Sequence, residues 1–228
     1  LFYALHNGTL ICSSSYFLLA KRLKDLSIFK WSEEILYDLI RMNRVFGYSS
    51  YDKLSKFLPP GTVLYSDLNN IDLEFYWKPC FQKKYYKNVS LAVSSYVKLL
   101  KNSTSLLIDN IKDKDIILFL SGGHDSRSIL SVLKRKVICF TTAYKKNKEV
   151  LIANKCAKYK KQKFIFCKLT TDHIIFHFDE AVKITSGFHS FIDAFFIGIG
   201  KDTINQNSIA IHGHGLDYFF QGSYLPTE

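Results

Sequence analysis

Five apolar residues in a row, Ile116 to Leu120, are followed after a single serine by the pair Gly122-Gly123. So short a run suits a strand buried on both faces, and two successive glycines suit a backbone that must turn sharply out of it. Ser126–Lys134 then carries helical spacing, so the segment predicts strand, tight turn and helix. The same exchange repeats downstream. Val137–Thr142 and Lys163–Leu169 predict strands, Lys148–Tyr159, Asp172–Lys183 and Phe191–Asn205 predict helices, and Ser208–Ile211 predicts a last strand. Such alternation predicts an α/β fold with a doubly wound, mostly parallel sheet. In that architecture ligands sit beyond the carboxyl ends of the strands. Three strand ends are therefore the places for a site: Leu120–Ser121, Thr141–Ala143 and Ile211–His212.

The string Ser121-Gly122-Gly123-His124-Asp125-Ser126 carries the chemistry. Glycines let backbone NH groups approach an anion, two hydroxyls add donors, and the start of the following helix favours a phosphate group. Asp125 repels a bare phosphate, so its place in the turn makes sense with Mg²⁺ between them. The Gly-Lys-Ser/Thr of a P-loop is absent, as is GxGxxG, which removes support for kinase-like and dehydrogenase-like readings.

Upstream, Leu1 to about Pro79 reads as strand-rich. It holds turn signals at His6-Asn7-Gly8-Thr9 and Pro59-Pro60-Gly61, and a helical pattern over Trp31–Leu39. A longer helical pattern spans Tyr85–Ile111. Lys83, Lys84 and Lys87 interrupt the apolar spacing between these regions, so the chain is expected to divide into residues 1–82 and 83–228.

The Ser121–Ser126 string resembles the pyrophosphate-binding loop of N-type ATP pyrophosphatases, and the rest of the chain resembles asparagine synthase within that group. Phe57-Leu58-Pro59-Pro60-Gly61-Thr62 with Phe75-Tyr76-Trp77-Lys78-Pro79 is similar to the end of that family's glutaminase domain, an Ntn-hydrolase-like fold. Cys139-Phe140-Thr141-Thr142-Ala143 with Glu149, Ala153 and Ala157 resembles its strand, loop and helix beside the nucleotide. Gly213-His214-Gly215-Leu216-Asp217, running to Phe220-Gln221-Gly222 and Tyr224, resembles its G-E-G-x-D-E-x-F-x-G-Y segment with one extra residue before the last Tyr.

The resemblance implies an ATP-dependent ligase that adenylates a carboxylate, forms an amide, and releases AMP and pyrophosphate. Ser121, Gly122, Gly123, Asp125 and Ser126 would hold pyrophosphate, the backbones of Phe119, Thr142 and Gly213 would touch ATP, and Asp125 and Asp217 would hold Mg²⁺. Glutamine or ammonia would supply nitrogen. His214 stands where the family usually has a glutamate, and Tyr218 also replaces a carboxylate. A histidine can take a proton near neutral pH, so His214 is the candidate base. The rival expectations are an ATP-dependent tRNA-modifying enzyme and a nucleotide-binding scaffold without turnover.

Thirty-one Lys and Arg against twenty Asp and Glu give a net charge of +11, which favours anionic ligands. The lysines are scattered, so nucleic acid is not the expected partner. Arg127 and the run Lys158–Lys163 are read as solvated helix ends, His124 as solvent-facing, and His189 as partly buried. His212 with His214 forms an HxH pair without a third ligand at a telling spacing, so zinc is not expected. None of the five cysteines forms a CxxC pair, which predicts free thiols in a reducing cytoplasm. Cys12, inside an apparent strand, is expected to be buried. No apolar stretch is long enough for a bilayer, and the chain, opening on Leu1, is expected to be a fragment.

Overall fold

The computed structural model describes residues 1–42, 45–67, 69–80, 86–111, 113–188, 195–201, 204–205 and 207–215. The chain forms two compact units, Leu1–Lys83 with Ile174–Ile197, and Lys84–His173 with Gly198–Glu228.

In the first unit β1 (Phe2–His6) and β2 (Thr9–Ser13) form a hairpin in which His6 pairs with Thr9. Asn7 and Gly8 both take positive φ, 47° and 73°, as a two-residue turn of this twist requires. The hairpin is followed by α1 (Tyr16–Asp25), which buries Tyr16, Leu19 and Leu23 on one face. This helix corrects the strand-rich expectation. Ser15 caps it without a side-chain hydrogen bond and its first turn has no acid, so the usual start signals are missing.

Next come α2 (Glu33–Met42), β3 (Lys56–Phe57) beside β1, and the separate hairpin β4 (Thr62–Ser66) with β5 (Ile71–Phe75). Gly61 joins the two halves of the Pro-Pro-Gly and Tyr-Trp motif. Its carbonyl accepts from Tyr76 and Trp77 N–H at 2.9 and 3.2 Å, and with φ at 68° any Cβ would collide with Trp77 O. Cys12 is exposed, against expectation: β2 is an edge strand, so Cys12 has a neighbouring strand on one side only, whereas its partner Tyr3 on the central strand β1 is buried.

In the second unit α3 (Val89–Ile108) precedes β6 (Ile116–Phe119), α4 (His124–Val132), β7 (Ile138–Ala143), α5 (Lys148–Tyr159) and β8 (Lys163–Lys168). After α6 (His173–Thr185), nearly all of which belongs to the first unit, the chain returns as β9 (Ile209–Ile211). The four strands are parallel in the order β8-β7-β6-β9, an α/β arrangement compatible with a doubly wound fold. Ile116, Leu118 and Cys139 face a core completed by Ile108 of α3, Leu130 of α4, and Ala153 and Ala157 of α5. The two alanines let α5 approach the sheet closely. Burial pushes the Cys139 thiol up to about 11, so it acts as a small apolar residue. On the other face Phe119 meets Phe140 edge-on at 5.6 Å.

The helix expected over Phe191–Asn205 is corrected for its described part. Residues 195–196 form a short 3₁₀ turn, and Gly198 and Gly200 take φ of 69° and 72°, which ends right-handed helix. Residues 191–194 and 202–203 lie outside the described residues, as do Lys83, Lys84 and His189. Among the described residues no helix is long and apolar enough to cross a membrane.

Candidate functional site

Strand order reverses at β6: β7 and β8 follow on one side, and β9 returns on the other. Such a switch point opens a crevice at the carboxyl ends, and there the backbone leaves β6 through Ser121-Gly122-Gly123. Serine side chains hold this turn. Ser121 N–H donates to Ser126 Oγ at 3.0 Å, the two hydroxyls lie 3.0 Å apart, and Gly123 N–H donates to Ser121 Oγ at 3.1 Å. Ser126 is buried, so its hydroxyl ties the loop to the first turn of α4.

The glycines are sites of close approach. A Cβ on Gly122 would lie 2.8 Å from Glu149 Cα at the start of α5, and one on Gly213 would lie 2.7 Å from Ser126 N and 3.0 Å from Asp125 Cβ. Neither neighbour is the flexible end of a side chain, so a larger residue would push backbone aside, at a cost of about 1–3 kcal/mol. The contacts gather the first turns of α4 and α5, the end of β6 and the residue pair after β9 into one cradle. Both helices direct their positive ends to this pole. Asn147 caps α5 by accepting Val150 N–H at 3.0 Å.

The structure thus brings together Phe119, Ser121, Gly122, Gly123, Asp125, Ser126, Thr142 and Gly213 at three neighbouring strand ends. Thr141 Oγ1 donates to Leu120 O at 2.6 Å and locks β7 to β6 where the loop begins. Thr142 Oγ1 is buried and has no hydrogen-bond partner among the described residues. Asp125 is half-buried, and its carboxylate takes part in no hydrogen bond or ion pair among the described residues. His124, His212 and His214 are exposed, and His214 N–H donates to His212 Nδ1 at 3.2 Å. Asp217 and Tyr218 lie outside the described residues.

The cradle fits the phosphates of a nucleotide, since its glycines draw the loop, the residues after β9 and two helix starts close together and both helices turn their positive ends toward it. For Mg²⁺, no group of three His, Cys, Asp or Glu is assembled among the described residues. Magnesium is commonly held by one or two carboxylates with substrate phosphates completing the shell, so the unpartnered Asp125 is a fitting ligand.

Basic residues behave differently at the two poles of this unit. At the amino pole Arg135 donates to Lys114 O at 3.0 Å and to Ile111 O, Lys160 reaches Ser131 O at 2.8 Å, and Lys136 reaches Lys161 O at 3.1 Å. These cations meet carbonyls at and beyond the ends of α3, α4 and α5, where they offset the helix dipoles. Arg127 Nε donates back to Gly123 O at 2.8 Å. At the carboxyl pole Lys145, Lys146 and Lys148 are exposed beside the Gly122 contact. Sequence reasoning passed over these three; the signal was a lysine cluster around the Asn147 cap directly after a strand.

Residues 98–224, more than half of the chain, match the family model of asparagine synthase. No curated protein matches the chain. Together with the cradle at the strand-order switch point, that match shows that the chain belongs to the asparagine synthase family, whose members are ATP-dependent amide-forming ligases.

Proposed function

We propose that this protein uses ATP to adenylate a carboxylate acceptor and transfers the acyl group to ammonia or an amine, forming an amide and releasing AMP and pyrophosphate. The observation that carries the reading is the Ser121–Ser126 loop, tied by its own serines between two helix starts at the switch point. Ser121, Gly122, Gly123 and the first turn of α4 bind the leaving pyrophosphate. Donors held in place before reaction favour the charge that develops in the transition state. Ser126 keeps the loop in shape, and backbone groups at Phe119, Thr142 and Gly213 position the nucleotide. Asp125, with Asp217, would hold Mg²⁺, which would supply charge neutralisation at the phosphates. His214 accepts the proton of the attacking amine.

In this reading residues 1–82 are the end of a glutaminase-like Ntn domain, which would draw the nitrogen from glutamine, and residues 83–228 are the ligase domain. The five unpaired thiols suit a cytoplasmic setting. Carbonyl contacts made by Arg135, Lys136 and Lys160 supply a structural role for part of the positive charge that a tRNA-modifying reading would assign to RNA.

The test is pyrophosphate release by the intact protein with ATP and Mg²⁺ across a panel of carboxylic acids. Release that depends on one acid and is lost in Asp125→Ala supports the reading and identifies the acceptor. Tight ATP binding without release for any acid points instead to a scaffold.

A further inference from the structure

We infer that His212 is a positioning residue that sets His214 through its ring nitrogen Nδ1. This rests on the reading of His214 as the proton acceptor. Strand β9 ends at Ile211, paired with Leu118 of β6, and the next three residues must present His214 beside the Ser121–Ser126 loop. The middle one, Gly213, lies so close to Asp125 and Ser126 that it admits no side chain and cannot anchor the turn by one. The anchor comes from its neighbour: His214 N–H donates to His212 Nδ1 at 3.2 Å, closing a two-residue turn around the glycine.

A ring nitrogen accepts such a bond only with its lone pair, which places the imidazole proton of His212 on Nε2. The rings then sit 5.9 Å apart at an interplanar angle of 53°. This gives the HxH spacing a use other than metal binding, because a protonated Nε2 is not a ligand. The turn is the side-chain equivalent of an Asx-turn, with the ring nitrogen in place of the carbonyl oxygen.

That equivalence supplies the test. His212→Asn keeps an acceptor the same number of bonds from the backbone, His212→Gln places an amide nearer the Nε2 position, and His212→Leu offers neither. In pyrophosphate release by the intact protein, Asn is expected to stay within about twofold of the parent kcat. Gln and Leu are expected to lose about tenfold in kcat with the ATP KM within about twofold. An Asn variant as impaired as Leu overturns the proposal, as does a Leu variant equal to the parent. Activity retained by Gln and lost by Asn also overturns it, because the ring would then touch substrate through Nε2. Nitrogen-15 NMR of the imidazole gives a readout without turnover: the Nε2–H form is expected, and the Nδ1–H form overturns the proposal. Absence of acid-dependent release in the parent would remove the adenylation reading, while the NMR result would still decide the His212 turn.

Discussion

Ser50-Tyr51-Asp52-Lys53-Leu54-Ser55 in the first unit and Ser121-Gly122-Gly123-His124-Asp125-Ser126 in the second use the same kit: two serines five apart with an aspartate between them. In both the serine hydroxyls meet, at 2.6 Å in the first and 3.0 Å in the second. The aspartates fare differently. Asp52 is 3% exposed and accepts from Tyr16 Oη at 2.8 Å, from Leu54 and Ser55 N–H at 2.8 and 2.7 Å, and from the Ser55 hydroxyl. Asp125 is half-exposed, and no donor among the described residues reaches its carboxylate. A carboxylate enclosed by donors serves the fold, whereas one left outside an otherwise satisfied loop remains available to a ligand.

Alanine substitutions separate the two most sharply. Asp125→Ala is expected to lower pyrophosphate release by about a hundredfold or more while unfolding free energy in urea stays within about 0.5 kcal/mol. Asp52→Ala leaves several donors buried without an acceptor and is expected to destabilise the first unit by about 3 kcal/mol. Equal stability losses in the two variants would end the comparison. Ser126→Ala tests the shared serine tie. It should cost about 1–2 kcal/mol in the same titration and about tenfold in release, because Ser121 then loses its anchor.

A pH titration sharpens the enclosed half. Burial raises the Asp52 carboxyl, but hydrogen bonds from Ser55, Tyr16 and Leu54 outweigh it and hold it below its usual 3.8. Its contribution to stability is therefore present above that value and lost as pH falls through the lower folded one. Tyr16 and Tyr51 are shifted the other way, chiefly by burial, Tyr51 to about 12. Their contribution is present below the usual 10.0 and lost as pH rises through the folded values. Asp52→Asn should flatten the acid limb of unfolding free energy against pH, and an unchanged limb would refute this assignment. The smallest effect is electrostatic. Lys145→Glu, Lys146→Glu and Lys148→Glu together should weaken ATP binding about three- to tenfold at low salt and progressively less as salt rises. Equal weakening at every salt concentration would mean a local structural change.

The parallel sheet and its loop were legible because local patterns specify them. Ile116–Leu120, the glycine pair and the apolar spacing of α5 fix strand, turn and helix without distant contacts. Expectation failed where the place of a strand in its sheet, or the backbone conformation of a glycine, decided the outcome. Cys12 reads as a core residue by type, yet its place on an edge strand leaves it exposed. The apolar stretch ending at Asn205 reads as helix, yet Gly198 and Gly200 adopt left-handed φ.

The sequence by itself determined that strand β6 ends in a tight glycine turn carrying two serines and an aspartate, because residue type and order dictate local geometry over a few bonds. Only the tertiary structure decided that Gly213, ninety residues after Gly123, closes the cradle, and that Asp52 is enclosed with Tyr16 while Asp125 meets no donor among the described residues. Those outcomes depend on which distant segments meet and how much water they exclude, and neither is encoded in the spacing of neighbouring residues.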